Sequence, residues 1–154
     1  MPAPSANKPR VLVDADILFA GAASPSEHGA SLLILRMAEI TLIEAITSAQ
    51  VVAEAESNLA LKLPPALAAF RLIVSRCLQV VPDPRPADLA AYAGRVDPKD
   101  LPILVVAHRE HCPWLVTFNL RHYQPGHPAV AVLRPGDLLQ RVRHSLVHMS
   151  AEEL

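Results

Sequence analysis

Short apolar runs alternate along this chain with longer stretches in which apolar residues recur at helical spacing. The run at residues 11–13 (VLV) is continuous, which is typical of a strand buried on both faces, as in a parallel sheet. Further strands are predicted at residues 41–47, 78–81, 114–117 and 129–133. Helices are predicted at residues 30–38, 50–63, 66–77 and 86–94, from residue 97 to about residue 111, and from residue 135 onward. This alternation predicts an α/β fold in which helices cover both faces of a central, mostly parallel sheet.

Length and composition predict one compact domain. The chain has 154 residues, of which 51% are hydrophobic and 19% are charged, and this is enough to bury a substantial core. We expect a single domain at residues 11–146, with flexible tails at residues 1–10 and 147–154. Residues 1–10 lack the apolar segment of a signal peptide, and no apolar run approaches the roughly 20 residues of a membrane helix. A cytoplasmic location without membrane contact is therefore expected.

The charge balance excludes some kinds of nucleic-acid binding protein. The formal net charge is −1 and aromatic residues make up only 4% of the chain, which argues against a globally basic binder and against an aromatic platform for single strands. A metal-dependent phosphodiesterase remains possible, because bound cations can supply the positive charge that the composition lacks.

Polar side chains are predicted at the carboxyl ends of strands and at the starts of helices. Ser48 is predicted to cap the helix that follows the second strand. The candidates for chemistry are Asp14 and Asp16 after the first strand, Glu54 in the helix after the second, Asp97 and Asp100 before the long helix, and Asn119 after the strand at 114–117. Positions of this kind can converge at one edge of a parallel sheet, where ligands bind in open α/β folds. Clustered carboxylates repel one another, and oxygen ligands favour Mg²⁺ or Mn²⁺ as the cation that offsets this repulsion.

The first pair of aspartates has a second interpretation. Asp16 then caps the next helix and Asp14 lies in a solvated turn. The histidines are assigned to solvated surfaces rather than to a metal site, since His108 and His111 are flanked by charged residues on a helix.

Four segments carry motifs that occur in a fixed order along the chain: residues 13–16 (VDAD), 47–54 (TSAQVVAE), 97–107 (DPKDLPILVVA) and 116–123 (VTFNLRHY). Together they resemble the motifs of the PIN-domain family of metal-dependent nucleases, and the resemblance covers most of residues 11–140. Two positions depart from the family pattern. Asp16 stands where asparagine is more usual, and Asn119 stands where many members have aspartate.

This resemblance implies a three-layer α/β/α PIN fold and a Mg²⁺- or Mn²⁺-dependent hydrolysis of RNA phosphodiester bonds. It implies metal ligation by Asp14, Asp100 and Glu54, with Asn119 as a fourth catalytic residue. Asp16, Asp97 and Thr117 are supporting residues, and Thr117 is expected to orient an aspartate ligand. Arg121 is a candidate phosphate contact from its position near Asn119, although a solvated surface charge is the alternative.

Small single-domain members of the family are commonly toxins of VapBC-like toxin–antitoxin pairs, so the resemblance also implies an antitoxin protein as partner. A homodimer is expected on other grounds. The apolar segments at residues 59–63 and 66–73 exceed what one small domain readily buries, which predicts a dimer or antitoxin interface.

Two other functions compete with the ribonuclease. A haloacid-dehalogenase-like phosphatase would use Asp14 as nucleophile and Asp16 as general acid/base, but it leaves Glu54 and Asn119 unexplained. A degenerate domain would bind RNA or a protein without cleaving it, and Asn119 in place of aspartate is its best support.

Overall fold

The computed structural model describes residues 8–24 and 29–152 of the chain. Its five strands are β1 (Arg10–Val13), β2 (Glu44–Ser48), β3 (Leu78–Val81), β4 (Trp114–Val116) and β5 (Ala131–Leu133). They form one sheet in the order β3-β2-β1-β4-β5, and all four neighbouring pairs are parallel. The predicted parallel sheet is therefore confirmed, with β1 at its centre.

Seven α-helices in the described ranges connect or follow these strands: α1 (Ala15–Ala23), α2 (Ala30–Glu39), α3 (Ala49–Lys62), α4 (Leu67–Cys77), α5 (Pro86–Leu89), α6 (Leu101–Arg109) and α7 (Pro135–Glu152). Short 3₁₀ segments lie at Pro64–Ala66, Ala90–Tyr92 and Leu120–Tyr123. From β1 the chain adds β2 and then β3 on one side of the central strand. It then crosses the sheet to add β4 and β5 on the other side. Since such crossovers are right-handed, α1–α4 cover one face and α6 covers the other. The predicted three-layer α/β/α fold is confirmed.

The core explains why the first apolar run is unbroken. Val11, Leu12 and Val13 are fully buried, because β1 has a strand on each side and helices on both faces. Ile17 of α1 and Leu104 of α6 are also fully buried in the same core cluster. None of the helices in the described ranges has the length and apolarity to cross a membrane, and the cytoplasmic location stays a prediction.

Two predicted elements begin three or more residues later than expected. The second strand begins at Glu44 rather than at residue 41, because Thr41 has a φ of 66° and lies in the turn that follows α2. This left-handed conformation is incompatible with a strand. The long helix begins at Leu101 rather than at residue 97, since Asp97 and Asp100 form a turn in which the Asp100 N–H donates to the Asp97 carbonyl at 2.9 Å.

Both predicted domain boundaries lie inside regular structure. Arg10, expected in the N-terminal tail, belongs to β1, where it forms an ion pair with Glu44 and donates a hydrogen bond to the Glu110 carbonyl at 2.9 Å. Helix α7 continues to Glu152, through most of the segment expected to be a C-terminal tail. The remaining tail predictions, for residues 1–7 and 153–154, lie outside the described residues.

The two apolar segments expected at an interface are only partly exposed. Leu59, Phe70 and Ile73 are in the core, whereas Leu61 is 83% exposed and Leu72 is 51% exposed. One domain therefore buries more of these segments than the sequence suggested. The homodimer stays a prediction that concerns mainly the exposed leucines.

Candidate active site

The carboxyl ends of β1, β2 and β4 bring the predicted polar residues to one edge of the sheet. Asp14 follows β1, and its N–H extends the parallel pairing by donating to the Val116 carbonyl at 3.2 Å. Thr117 follows β4 and donates its N–H to the Leu133 carbonyl at 3.0 Å. Ser48 ends β2 and caps α3 by accepting from the Val51 N–H at 3.4 Å, as predicted. Backbone pairing thus fixes the positions at which Asp14 and Thr117 leave the sheet.

Asp14 is the most tightly held carboxylate of the group. Its Oδ1 accepts from the Ala15 N–H at 2.7 Å, while its Oδ2 accepts from the hydroxyls of Thr117 and Tyr123, both at 2.9 Å. Asp14 is only 6% exposed and is the N-cap of α1. The alternative that placed Asp14 in a solvated turn and Asp16 at the cap is therefore wrong, since β1 carries the backbone directly into the helix at Asp14.

Burial and the nearby carboxylates keep the Tyr123 hydroxyl protonated. The pKa of Tyr123 is raised above its ordinary value, first by burial and then by the negative charges of Asp14 and Asp100. A protonated phenol remains a hydrogen-bond donor to Asp14. Tyr123 thus holds one oxygen of this carboxylate while the Ala15 N–H holds the other.

Asp16 lies in the first turn of α1 and faces the residues after β4. Its Oδ2 accepts from the Phe118 N–H at 2.9 Å, from the Thr117 hydroxyl at 3.2 Å and from the side-chain amide of Asn119 at 3.3 Å. Burial, followed by repulsion from Asp14, raises the pKa of Asp16 to about 6. The Thr117 hydroxyl has one proton and lies within reach of Asp14 and Asp16, so it can serve one carboxylate at a time.

Asp100 is the N-cap residue of α6 and has His122 as its neighbour. Burial and then repulsion from Asp14 raise the pKa of Asp100. His122 Nδ1 is 3.2 Å from Asp100 Oδ2, an ion-pair distance without a hydrogen bond. Asp97, His122 and Asp100 have potential ligand atoms that all lie within 4.8 Å of one another. Asp97 also accepts the Lys99 N–H at 3.1 Å, which holds the turn before α6.

These side chains open onto a cleft with a volume of about 510 Å³. Five predicted residues line it: Asp14, Asp16, Glu54, Asp100 and Asn119. Thr117 is fully buried behind the two aspartates. Arg121 is exposed and does not line this cleft, so the structure does not place it with the other predicted residues.

One helix contributes a whole side of the cleft. Gln50, Glu54, Asn58 and Lys62 recur every four residues along α3, which places them on one face of the helix, and all four line the cleft. The Lys62 ammonium group lies 5.9 Å from the centre of the Phe19 ring. This face of α3 therefore extends from Glu54, beside the other carboxylates, to the positive charge of Lys62.

The carboxylate oxygens of the cleft are suited to a hard divalent cation, the kind of ion that the resemblance to metal-dependent nucleases implies. Within the part of the chain that is described, the buried side-chain atoms without a hydrogen-bond partner are Asp16 Oδ1 and Asp100 Oδ2. An unpartnered buried carboxylate oxygen is costly unless a cation or a donor satisfies it. Carboxylate oxygens are the ligands that Mg²⁺ and Mn²⁺ prefer. The residues present can therefore hold such an ion.

Sequence reasoning missed Tyr123, His122 and the cleft lysines Lys62 and Lys99. The i, i+4, i+8 and i+12 spacing from Gln50 to Lys62 was visible in the sequence and predicts one shared helix face. Tyr123 is the last residue of the fourth motif, but its contact with Asp14 joins residues 109 positions apart and could not be read from the local sequence. His122 was set aside with the other histidines, although it lies within the fourth motif.

Comparison with known proteins supports a single family. The model of the PIN domain matches residues 10–121, which is more than half of the chain. No curated protein matches by sequence. Among solved structures the chain is similar to PAE2754 from Pyrobaculum aerophilum, with 20% identity, a TM-score of 0.62 and coverage of 92% of this chain and 99% of that one.

Two further structures have the same fold. VapBC2 from Rickettsia felis, bound to a DNA fragment from its promoter, shares 15% identity with a TM-score of 0.59 and coverage of 81% and 98%. The sarcin–ricin loop cleaving toxin VapC20 from Mycobacterium tuberculosis shares 16% identity with a TM-score of 0.50 and coverage of 68% and 86%. At these identities the structures show likeness of fold alone, while the sequence match shows the family. The chain belongs to the PIN-domain family.

Proposed function

We propose that this chain is an endoribonuclease that depends on Mg²⁺ or Mn²⁺ and serves as the toxin of a prokaryotic toxin–antitoxin pair. The observation that carries the proposal is the meeting of Asp14, Asp16 and Asp100 at one cleft, where Asp16 and Asp100 each have a buried oxygen without a hydrogen bond. Membership of the PIN-domain family supports a nuclease. The toxin role is supported by the names of two proteins with the same fold, VapBC2 and VapC20.

In this proposal Asp14 and Asp100 hold the cation, with Glu54 across the cleft as a further ligand. Asp16 is added to the set by its unpartnered Oδ1. When bound, the cation lowers the pKa of attacking water and offsets the charge that develops on the phosphate. Burial raises the pKa values of Asp16 and Asp100, and a cation at these residues would favour their ionised forms.

The chain's other residues orient the carboxylates and bind the substrate. Thr117 and Tyr123 fix Asp14 through hydrogen bonds to Oδ2, and outer contacts of this kind typically matter 10- to 100-fold for metal affinity or activity. The side-chain amide of Asn119 donates to Asp16, a contact that an ionised aspartate at this position could not make. Lys62 and Lys99 line the cleft and bind phosphates of the RNA backbone, giving the local positive charge that the composition as a whole lacks.

The antitoxin and the homodimer belong to the same proposal. The fold of VapBC2, which is named as a promoter-DNA complex, supports an antitoxin partner for this chain. The exposed residues Leu61, Leu63 and Leu72 on and near α3 and α4 support an apolar contact between two copies. The proposed roles as ribonuclease and as toxin imply a cytoplasmic location with RNA as the substrate.

The phosphatase alternative is disfavoured by the other residues of the cleft. Glu54 and Asn119 line it together with Asp14 and Asp16, and a phosphatase that uses Asp14 as nucleophile leaves both of them without a role. Trapping a covalent aspartyl-phosphate at Asp14 would restore this alternative. The degenerate-domain alternative rests on Asn119 and is decided by an activity assay.

The deciding experiment measures cleavage of single-stranded and structured RNA by the purified chain with Mg²⁺ or Mn²⁺, beside the Asp14→Asn variant and an EDTA control. We expect cleavage that is abolished by EDTA and reduced at least 100-fold by Asp14→Asn. Equal cleavage by the two proteins means contamination or a different site. RNA binding without cleavage by either protein means a degenerate domain.

A further inference from the structure

The C-terminal helix carries a pair of histidines that the nuclease site does not use. His144 and His148 lie one turn apart on α7, and both side chains are exposed. Their Nε2 atoms are 2.9 Å apart, their ring centres are 4.4 Å apart and their planes meet at 82°. We propose that His144 and His148 form a chelating site for a transition-metal ion, Cu²⁺ or Ni²⁺, separate from the acidic cleft.

The distance between the two nitrogens matches the span of a chelate. Two imidazole nitrogens that lie about 2.0–2.1 Å from one ion and at a right angle to each other are about 2.9 Å apart. A tetrahedral angle would separate them by about 3.4 Å. Right-angled ligand pairs occur in the square-planar and tetragonal geometries of Cu²⁺ and Ni²⁺. The observed 2.9 Å is the separation of a right-angled pair, and the choice of Cu²⁺ and Ni²⁺ rests on their high place in the affinity order of divalent ions for imidazole.

The helix supplies this geometry from spacing alone. Residues i and i+4 lie above one another on the same helix face, and this arrangement of histidines is the one used by helical metal sites. In the hydrogen bond between the two rings, one Nε2 atom carries the proton and the other accepts it. Moving that proton to Nδ1 of the same ring, by exchange with water, leaves both Nε2 lone pairs free for the ion.

The surroundings of the pair favour a partly hydrated ion. His144 borders a groove that is also lined by Asp137, Gln140 and Arg141 of α7. Asp137 and Gln140 offer oxygen atoms in this groove, whereas the Arg141 guanidinium group opposes a cation. Since His144 and His148 are both exposed, water can fill the other coordination positions. The histidine pair and the acidic cleft should therefore bind different ions. Imidazole prefers Cu²⁺ and Ni²⁺, whereas carboxylates prefer Mg²⁺ and Mn²⁺.

The test is Cu²⁺ titration of the full chain, prepared without a histidine tag, beside the His122→Ala variant, which removes the imidazole of the acidic cleft. Calorimetry gives the number of sites, and electron paramagnetic resonance counts the nitrogens bound to copper. We expect a site with two equatorial nitrogens that persists in His122→Ala. His144→Ala and His148→Ala should each reduce this to one nitrogen and weaken binding at least tenfold.

A matched variant separates the chelate from the mere presence of histidines. His144→Ala/Val147→His keeps the number of imidazoles but places two of them at neighbouring positions, which do not face each other on a helix. It should bind copper as weakly as His144→Ala, whereas His111→Asn, which removes an exposed histidine elsewhere, should bind like the wild type. Equal affinity of the wild type and the spacing variant would overturn the proposal. Because the readout is copper binding, failure here leaves the nuclease proposal untouched.

Discussion

At the scale of single residues, hydrogen bonds to Asp14 connect the fold to the site. Tyr123 and Thr117 reach Oδ2 of Asp14 from residues more than 100 positions away in sequence. Their hydroxyls select one orientation of the carboxylate, and burial keeps the tyrosine protonated for this role. Catalysis is therefore expected to respond to changes that touch neither the ion nor the substrate.

Tyr123→Phe tests this orientation. The substitution keeps the ring and removes only the hydroxyl, so Asp14 Oδ2 retains Thr117 as its donor. We expect Mn²⁺ affinity and RNA cleavage to fall about 10-fold or more, with a loss of about 1–3 kcal/mol in the free energy of unfolding. Titration of Mn²⁺ and denaturant unfolding measure the two effects.

Tyr92→Phe is the control for Tyr123→Phe. It removes a hydroxyl that contacts His108 Nδ1 at 2.7 Å outside the cleft. Its effect on Mn²⁺ affinity should be negligible. Equal losses of affinity in the two variants would show that Tyr123 acts through general stability and not through Asp14.

Asp16 gives a prediction about pH. Its pKa is raised from the ordinary 3.8 to about 6 in the fold, so between about pH 4 and about pH 6 the folded chain binds more protons than the unfolded one. Without metal, this carboxyl group should increase the free energy of unfolding as the pH is lowered through that window. The difference between the wild type and Asp16→Asn, followed by urea unfolding in EDTA, isolates this contribution from those of other carboxyl groups.

Added Mg²⁺ should reverse the dependence, because the cation favours the ionised form of Asp16. A difference between the wild type and Asp16→Asn that does not change between pH 4 and pH 6 would contradict the burial of this group.

At the scale of elements, the sequence predicts which strands and helices exist better than where they begin. The buried run at residues 11–13 and the cap at Ser48 were correct because the apolar pattern and the capping chemistry are local. The start of β2 was wrong because the left-handed turn at Thr41 has no glycine to signal it. In the site, Asp14, Glu54 and Asp100 could be found from strand and helix ends. Tyr123 could not, since only the assembled sheet brings it to Asp14.

Helix α3 gives the prediction for substrate binding. Lys62 lies at the end of the α3 face that lines the cleft, whereas Arg121 lies outside the cleft. Lys62→Gln should weaken RNA binding about 3- to 10-fold and reduce the salt dependence of binding by about one phosphate contact. Fluorescence anisotropy in EDTA measures binding without cleavage.

Arg121→Gln is the matched control, because it also removes one exposed positive charge. It should change RNA affinity less than Lys62→Gln does. A larger loss of RNA affinity in Arg121→Gln than in Lys62→Gln would support Arg121 as the phosphate contact expected from the sequence. It would also mean that the RNA does not bind along α3.

At the scale of the whole molecule, exposed leucines on one side predict self-association. Leu61 and Leu72 expose 83% and 51% of their surface, on two helices that contact each other. We expect a dimer at micromolar concentration by light scattering, and a shift to monomer in Leu61→Glu. Ile40→Glu, at a residue that is 65% exposed at the end of α2, serves as the control and should leave the dimer intact. A wild-type monomer would contradict the dimer.

The central position of β1 has a consequence for how the protein is made. This strand is synthesised before β4, yet one of its edges pairs with β4, and the donors to Asp14 follow β4 at Thr117 and Tyr123. The chain must therefore be synthesised past residue 123 before its carboxylates acquire their final orientation. The proposed ribonuclease would therefore stay inactive until synthesis has passed residue 123.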